Sequence, residues 1–149
     1  MSEAMRPAEL LLVEDNPGDI RLTKEALKES KMVLNLHVVK DGVEAMAFLR
    51  QEGKYEDSPR PDLILLDLNL PKKDGREVLA EVKADEALKL IPVVILTTSR
   101  NEEDLLNAYD LHANAYVTKP LDLEQFLHIV SKIEEFWLTI VRLPGRDGP

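Results

Sequence analysis

Residues 62–71, with the sequence DLILLDLNLP, contain the stretch that decides the fold class of this 149-residue chain. Residues 63–66 form an apolar run that no polar side chain interrupts, which is typical of a strand buried on both faces of a sheet. Residues 10–13 and 93–96 have the same character. These three runs predict the central strands of a parallel sheet.

Helical patterns alternate with the strands along the chain. Strands are predicted at residues 9–13, 34–39, 62–66, 93–96 and 115–118, and helices at residues 17–30, 43–51, 76–84, 102–111 and from residue 122 onward. This alternation favours an α/β fold, a doubly wound five-stranded parallel sheet with helices on both faces. The second and fifth strands have a mixed composition that suits edges, so we predict the order 2-1-3-4-5 with right-handed crossovers.

Side chains at two predicted helix starts are suited to capping. Asn16 is a predicted N-cap of the first helix, which has Pro17 at its first position. Asp122 with Gln125 fits a capping box at the start of the last helix.

Composition narrows the function classes. The chain has no cysteine, and acidic residues outnumber basic ones 28 to 19, for a formal net charge of −9. A nucleic-acid-binding domain usually has a basic surface, and no apolar run approaches the roughly 20 residues that span a bilayer. The N-terminus lacks the apolar stretch of a signal peptide. We therefore expect a cytoplasmic protein with neither a nucleic-acid nor a membrane partner.

Polar groups follow the predicted strands at their carboxyl ends, where open α/β sheets bind ligands. Glu14 and Asp15 follow the first strand, Asp67 follows the third, Thr97 ends the fourth and Lys119 follows the fifth. The predicted strand order would bring these groups to one rim of the sheet.

A divalent cation would relieve the mutual repulsion of these carboxylates. Asp15 and Asp67 are the candidate Mg²⁺ ligands, together with the backbone carbonyl of Asn69, because Mg²⁺ prefers oxygen ligands. Glu14 could reach the ion through a water molecule, and Mn²⁺ can substitute for Mg²⁺.

The same rim offers the groups that phosphoryl transfer needs. A carboxylate such as Asp67 can act as a covalent nucleophile toward phosphorus. Lys119 can neutralise one phosphoryl oxygen, and the hydroxyl of Thr97 can donate a hydrogen bond to another. Phosphoryl transfer depends mainly on alignment and charge stabilisation, so this set contains the types of group that the reaction needs.

Five motifs in register resemble the response-regulator receiver family of two-component systems. They are LVED at residues 12–15, LLDLNLP at 65–71, DG at 74–75, LTT at 96–98 and KP at 119–120. The resemblance runs from about residue 10 to the last helix. It implies a flavodoxin-like receiver fold, Asp67 as the phosphoacceptor, Mg²⁺ at Asp15 and a sensor histidine kinase as the donor.

The resemblance also implies a conformational switch. Thr97 would move toward the phosphoryl group, and the ring of Tyr116 would change its packing in response. A cis peptide bond before Pro120 is implied as well, which an X–Pro bond can adopt.

Some positions near the site depart from the common receiver pattern or flank it. Glu14 stands where the family more often has an aspartate. Thr98 stands where a small residue is frequent, and its β-branched side chain could narrow access to Asp67. Asn69 and Ser99 flank the site and are expected to influence how water reaches an acyl phosphate.

A narrower resemblance concerns the partner. Residues 75–79 (GREVL), 97–99 (TTS) and 134–138 (EEFWL), with the Leu-Pro pair at 143–144, are similar to the small response regulators of bacterial phytochromes. This resemblance implies a bacteriophytochrome as the sensor kinase.

The last helix is more apolar than one face requires. Phe126 and Ile129 begin one apolar stripe, Leu123 and Leu127 begin a second, and the pattern continues to about residue 142. An exposed apolar stripe usually marks an interface, so we expect a homodimer through this extended C-terminal helix, with an interface at Phe136, Trp137, Ile140 and Val141. The alternative is a wide apolar face that folds back on its own domain.

We expect residues 1–149 to form a single stand-alone receiver, with a core at about residues 9–134, a helical extension and tail at about 135–149, and no effector domain. It would be a phosphoacceptor that assists its own phosphorylation and dephosphorylation rather than an enzyme. Its place as messenger, phosphate sink or relay intermediate stays open.

Three rival functions can be weighed from the sequence. A phosphatase with an aspartate nucleophile usually has a second acid two residues later, and that residue here is Asn69, which cannot act as an acid. An interaction module with a vestigial site is disfavoured by the complete set of acid, hydroxyl and amine groups. A flavodoxin-like FMN carrier is disfavoured because Glu14 and Asp15 would repel a phosphate.

Overall fold

The computed structural model describes residues 7–29, 33–97, 113 and 115–130. The strands are β1 (Ala8–Val13), β2 (Leu34–Val39), β3 (Leu63–Asp67), β4 (Val93–Thr97) and β5 (Ala115–Thr118). The described α-helices are α1 (Pro17–Glu29), α2 (Gly42–Leu49), α3 (Gly75–Ala84) and α4 (Leu123–Val130), and a short 3₁₀ helix spans Gly53–Tyr55.

The five strands form one parallel sheet in the order β2-β1-β3-β4-β5. This is the predicted order, with β2 and β5 at the edges. Leu10 of β1 lies opposite Leu36 of β2 and Leu63 of β3, so β1 is paired on both sides. The order reverses direction between β1 and β3, and their carboxyl ends therefore form the crevice where this class of fold binds ligands.

Helices cover both faces of the sheet, as the apolar runs predicted. Alternate side chains of a strand point to opposite faces. On one face Leu11, Ile64 and Ile95 pack with buried residues of α2 and α3. On the other face Leu10 and Leu65 pack with buried residues of α1 and α4. Because β3 is fully buried, the residue that ends it has little freedom to move.

Each described α-helix begins at a capping side chain that follows a strand or the loop after it. A side-chain oxygen accepts a hydrogen bond from a backbone N–H of the first turn in all four cases, and the capping residues are Asn16, Asp41, Asp74 and Asp122. The prediction of Asn16 and Asp122 as caps is confirmed. The predicted reciprocal bond of Gln125 is wrong, because its side chain accepts from the backbone N–H of Thr118 instead.

The structure differs from the predicted elements in a few places. The strand β3 includes Asp67, which had been placed just after it. The 3₁₀ helix is not among the predicted elements; it begins at Gly53, which has a positive φ, as does Gln51 before it. The predicted helix at 102–111 lies outside the described residues, as does the chain beyond residue 130. Within the described ranges, no helix is both long and apolar enough to cross a bilayer.

Gly75 allows α3 to start directly against the chain that leaves β3. A Cβ at this position would lie 2.4 Å from the carbonyl oxygen of Asp67 and 2.6 Å from Cα of Leu68. The backbone N–H of Gly75 also donates to the carbonyl of Leu68 at 3.0 Å. The close approach therefore fixes the backbone next to the last residue of β3.

We predict that Gly75→Ala lowers the free energy of unfolding by about 1–3 kcal/mol, because the clash is with backbone atoms that cannot rotate away. Urea denaturation measures the change. Gly18→Ala in α1 is the control, since its nearest atom is a side-chain oxygen of Asn16 at 3.2 Å, and alanine raises helix stability by up to about 1 kcal/mol. Equal effects at the two positions would contradict the explanation.

Candidate functional site

Acidic side chains from two neighbouring strands meet at the crevice between β1 and β3. Glu14 and Asp15 follow β1, and Asp67 ends β3. One carboxylate oxygen from each of the three lies within 4.8 Å of the others. Glu14 and Asp67 are buried, whereas Asp15 is exposed. The predicted convergence of these three residues is therefore seen in the structure.

Glu14 is buried because it continues the strand pairing of β1. Its backbone N–H donates to the carbonyl of Val39 at 3.0 Å, which extends the ladder with β2. Its Oε2 accepts from the backbone N–H of Asn16 at 3.2 Å. The carboxylate of Glu14 is thus buried below the rim, whereas the following residue, Asp15, is exposed to solvent.

Lys119 brings a cation to this group of acids. Its Nζ lies 2.8 Å from Oε1 of Glu14, 3.1 Å from Oδ2 of Asp19 and 3.2 Å from Oδ2 of Asp67. The peptide bond between Lys119 and Pro120 is cis, as the resemblance implied. Lys119 and Asp67 therefore lie at one rim, as the strand order predicted, and Asp19 is an additional member of the site.

The two oxygens of Asp67 have different neighbours. Oδ2 faces the ammonium group of Lys119, and Oδ1 accepts from the backbone N–H of Asn69 at 3.2 Å. Asn69 itself is exposed at the start of the loop after β3. A hydrogen bond from a neighbouring backbone N–H and an ion pair hold this carboxylate in one orientation.

Burial and the neighbouring charges shift the pKa values of Glu14 and Lys119. Burial raises the pKa of Glu14 to about 7, and neighbouring Asp67 adds to the rise while the ammonium of Lys119 opposes it. Burial lowers the pKa of Lys119, but hydrogen bonds to Glu14 and Asp19 and the charge of Asp67 outweigh it and raise the pKa above its ordinary value. Lys119 is therefore a permanent cation at neutral pH, whereas Glu14 is near its titration point.

The remaining predicted site residues are only partly within the described structure. The backbone of Thr97 ends β4 opposite Thr118, at the same rim. Tyr116 in β5 is half-buried and packs against the core on the face of α2 and α3. The side chain of Thr97 and the whole of Thr98 and Ser99 lie outside what the structure describes. So do the predicted interface residues Phe136, Trp137, Ile140 and Val141.

The first two turns of the last helix follow the predicted pattern on one side. Phe126 is fully buried and Ile129 packs against the same core cluster. Leu127 is 36% exposed, so part of the second apolar stripe lies at the surface.

Asp19, an acid in the first turn of α1, is a site residue that the sequence pattern did not identify. One signal could have found it. It lies one helical turn beyond Asp15, at the start of the helix that leaves the rim.

Residues 10–131 of the chain match the family described as the response regulator receiver domain. The chain belongs to this family. The predicted fold and family are therefore confirmed, and the rim described above is the crevice of a receiver.

Relatives of this receiver include phytochrome response regulators. It is 56% identical over 143 residues to response regulator Rcp1 of Synechocystis sp., covering 96% of this chain and 97% of Rcp1. A solved structure of Rcp1 in a Mn²⁺-bound form is 57% identical, with a TM-score of 0.72 over 93% of this chain and 99% of the other.

Two further solved structures are similar. The phosphorylated cyanobacterial phytochrome response regulator RcpA is 60% identical, with a TM-score of 0.72 over 89% of this chain and 95% of RcpA. The bacteriophytochrome response regulator AtBRR is 43% identical, with a TM-score of 0.83 over 89% of this chain and 96% of AtBRR. This receiver is thus a response regulator homologous to those of phytochromes.

The raised pKa of Glu14 predicts how the stability of this receiver depends on pH without divalent cations. The folded state holds a proton on Glu14 up to about pH 7, whereas the ordinary value is 4.5. Between these two pH values the folded state therefore binds more protons than the unfolded state. The contribution of Glu14 to the free energy of unfolding is fully present below pH 4.5 and is lost as the pH rises to about 7.

We expect the urea midpoint in EDTA to fall between about pH 5 and pH 8, and to fall less in Glu14→Gln, which removes the titrating group. Glu56→Gln at an exposed position is the charge-matched control. Parallel pH profiles for wild type and Glu14→Gln would show that the carboxyl of Glu14 does not titrate in this range.

Proposed function

We propose that this receiver accepts a phosphoryl group on Asp67 in a reaction that uses a divalent cation. The observation that carries the proposal is the position of Asp67. Its buried carboxylate ends the central strand, with an ammonium group 3.2 Å away and the acids Glu14 and Asp15 beside it.

The carboxylate cluster fits a hard divalent cation. Glu14, Asp15 and Asp67 offer only oxygen donors, which Mg²⁺ and Mn²⁺ accept. These residues, with the backbone carbonyl of Asn69, would hold Mg²⁺, and Mn²⁺ would substitute for it; the existence of a Mn²⁺-bound structure of Rcp1 supports a divalent cation. Bound there, the cation would neutralise charge on the carboxylates and on a phosphoryl group.

The transfer step can be written for the residues of this chain. An oxygen of the Asp67 carboxylate attacks phosphorus and forms a new P–O bond. The P–N bond to a donor phosphohistidine breaks, and the histidine nitrogen keeps the electron pair. Lys119 supplies a positive charge next to the oxygen of Asp67, so it can stabilise the negative charge of the phosphoryl group.

Asp67 is consumed in this step, so the domain is a phosphoacceptor that assists its own loading and hydrolysis. Thr97 would stabilise the phosphoryl group and, with Tyr116, act as the switch pair. Asn69, Thr98 and Ser99 would govern the access of water. The donor is a sensor histidine kinase of the phytochrome type, a proposal that the likeness to RcpA and AtBRR supports.

The direct test is the intact mass of the protein after incubation with acetyl phosphate. We expect one phosphoryl adduct that requires Mg²⁺, is labile to alkali and is absent in Asp67→Asn, because the amide is not a nucleophile. Asp57→Asn, at an exposed position in the segment before β3, is the control and should keep the adduct. An adduct that persists in Asp67→Asn would refute the proposal.

We also infer a homodimer through the last helix. Leu127 of α4 is exposed, and the apolar spacing of the sequence continues through residues 131–142. A self-complementary patch of this kind is typical of C₂ dimers. The residues proposed for the interface are Phe136, Trp137, Ile140 and Val141.

Sedimentation velocity at micromolar concentration tests this inference. We expect wild type to sediment as a dimer and Trp137→Ala to shift toward the monomer, because truncated aromatic anchors weaken interfaces most. Leu90→Ala is the control, since Leu90 is an exposed apolar residue outside the helix, in the loop before β4. A monomeric wild type, or a dimer unaffected by Trp137→Ala, would contradict the inference.

A further inference from the structure

The ammonium group of Lys119 lies among three carboxylates. It carries three N–H bonds, and the three carboxylates of Glu14, Asp19 and Asp67 lie 2.8, 3.1 and 3.2 Å from it. A phosphoryl oxygen on Asp67 would therefore compete with these carboxylates for the ammonium of Lys119.

The three partners differ in how costly they are to release. The side chain of Glu14 is 0% exposed and that of Asp67 is 6% exposed, whereas that of Asp19 is 31% exposed. A buried carboxylate that loses its cation is strongly destabilised, while an exposed one is solvated by water. The contact with Asp19 is the one that can be released at least cost.

Asp19 is held in place independently of Lys119. It lies in the first turn of α1, and its backbone N–H donates to Oδ1 of Asn16 at 2.9 Å. The positive end of the helix also favours a carboxylate at this position. Asp19 therefore remains at the rim when Lys119 moves.

We propose that Asp19 is a positioning residue that holds the ammonium of Lys119 on the α1 side of the crevice until a phosphoryl group reaches Asp67. This inference rests on the proposed function of Asp67. By competing with the phosphoryl group for Lys119, Asp19 lowers the rate at which Asp67 is loaded.

The first test is the time course of adduct formation by intact mass, with acetyl phosphate and saturating Mg²⁺. Asp19→Asn is expected to raise the rate roughly twofold to fivefold, the range that corresponds to a partly exposed ion pair. Asp19→Glu keeps the charge and should stay close to wild type. Glu29→Gln removes a charge from the exposed end of the same helix and is the matched control.

Repeating the measurement in the Lys119→Gln variant distinguishes positioning of Lys119 by Asp19 from a simple loss of charge repulsion toward an anionic phosphodonor. In Lys119→Gln, Asp19→Asn should change the loading rate no more than Glu29→Gln does, because there is no ammonium to hold. An equal acceleration with and without Lys119, or none in the wild-type background, would overturn the proposal.

A third readout needs neither cation nor phosphodonor. In EDTA, the urea midpoints of wild type, Asp19→Asn, Lys119→Gln and the double variant form a cycle. Asp19→Asn should lower the urea midpoint more, or raise it less, when Lys119 is present than when Lys119 is replaced. Additive effects would show that the two side chains are not coupled in solution and would overturn the proposal even where loading of Lys119→Gln is too slow to follow.

The outcomes distinguish this inference from the function on which it rests. Absence of any adduct on wild type with Mg²⁺ would refute phosphorylation of Asp67 and the role of Asp19 with it. A normal adduct on wild type, with Asp19→Asn indistinguishable from Glu29→Gln, would leave the function standing and refute only the positioning role.

Discussion

The ion pairs of one ammonium group, that of Lys119, are the constraint on which the site depends. Strands β1 and β3 deliver Glu14 and Asp67 to a buried position, where two like charges would repel each other and lose solvation. Lys119 lies within 3.2 Å of both and offsets this cost. The compensation is incomplete, since the pKa of Glu14 still rises to about 7 because of its burial. The excess negative charge is what makes the rim suited to a divalent cation.

The same arrangement favours a phosphoacceptor over a phosphatase or a carrier of a phosphate-bearing cofactor. A phosphatase would need an acid at the place of Asn69, whose side-chain amide cannot act as a general acid. A carrier of a phosphate-bearing cofactor would need donors where Glu14 and Asp15 present carboxylates. A nucleophilic carboxylate held between an ammonium and a candidate cation site is the simplest use of the residues present.

Much of the fold could be predicted because it depends on local patterns. The uninterrupted apolar run at residues 63–66 identified a central strand, and the mixed composition of β2 and β5 identified the edges. The acids and the lysine of the rim followed from strand order alone. Contacts that depend on side-chain reach could not be predicted in this way. Asp19 meets Lys119 across the rim, and Gln125 turns to Thr118 instead of capping its own helix.

The central claim is that Asp67 itself carries the phosphoryl group. Borohydride reduces an acyl phosphate to an alcohol and so converts a phosphorylated aspartate to homoserine, which peptide mass spectrometry locates in the chain. After loading with Mg²⁺ and a phosphodonor, the account predicts homoserine at position 67 and at no other aspartate or glutamate. Conversion at another acidic residue, or none despite a phosphoryl adduct, would contradict it.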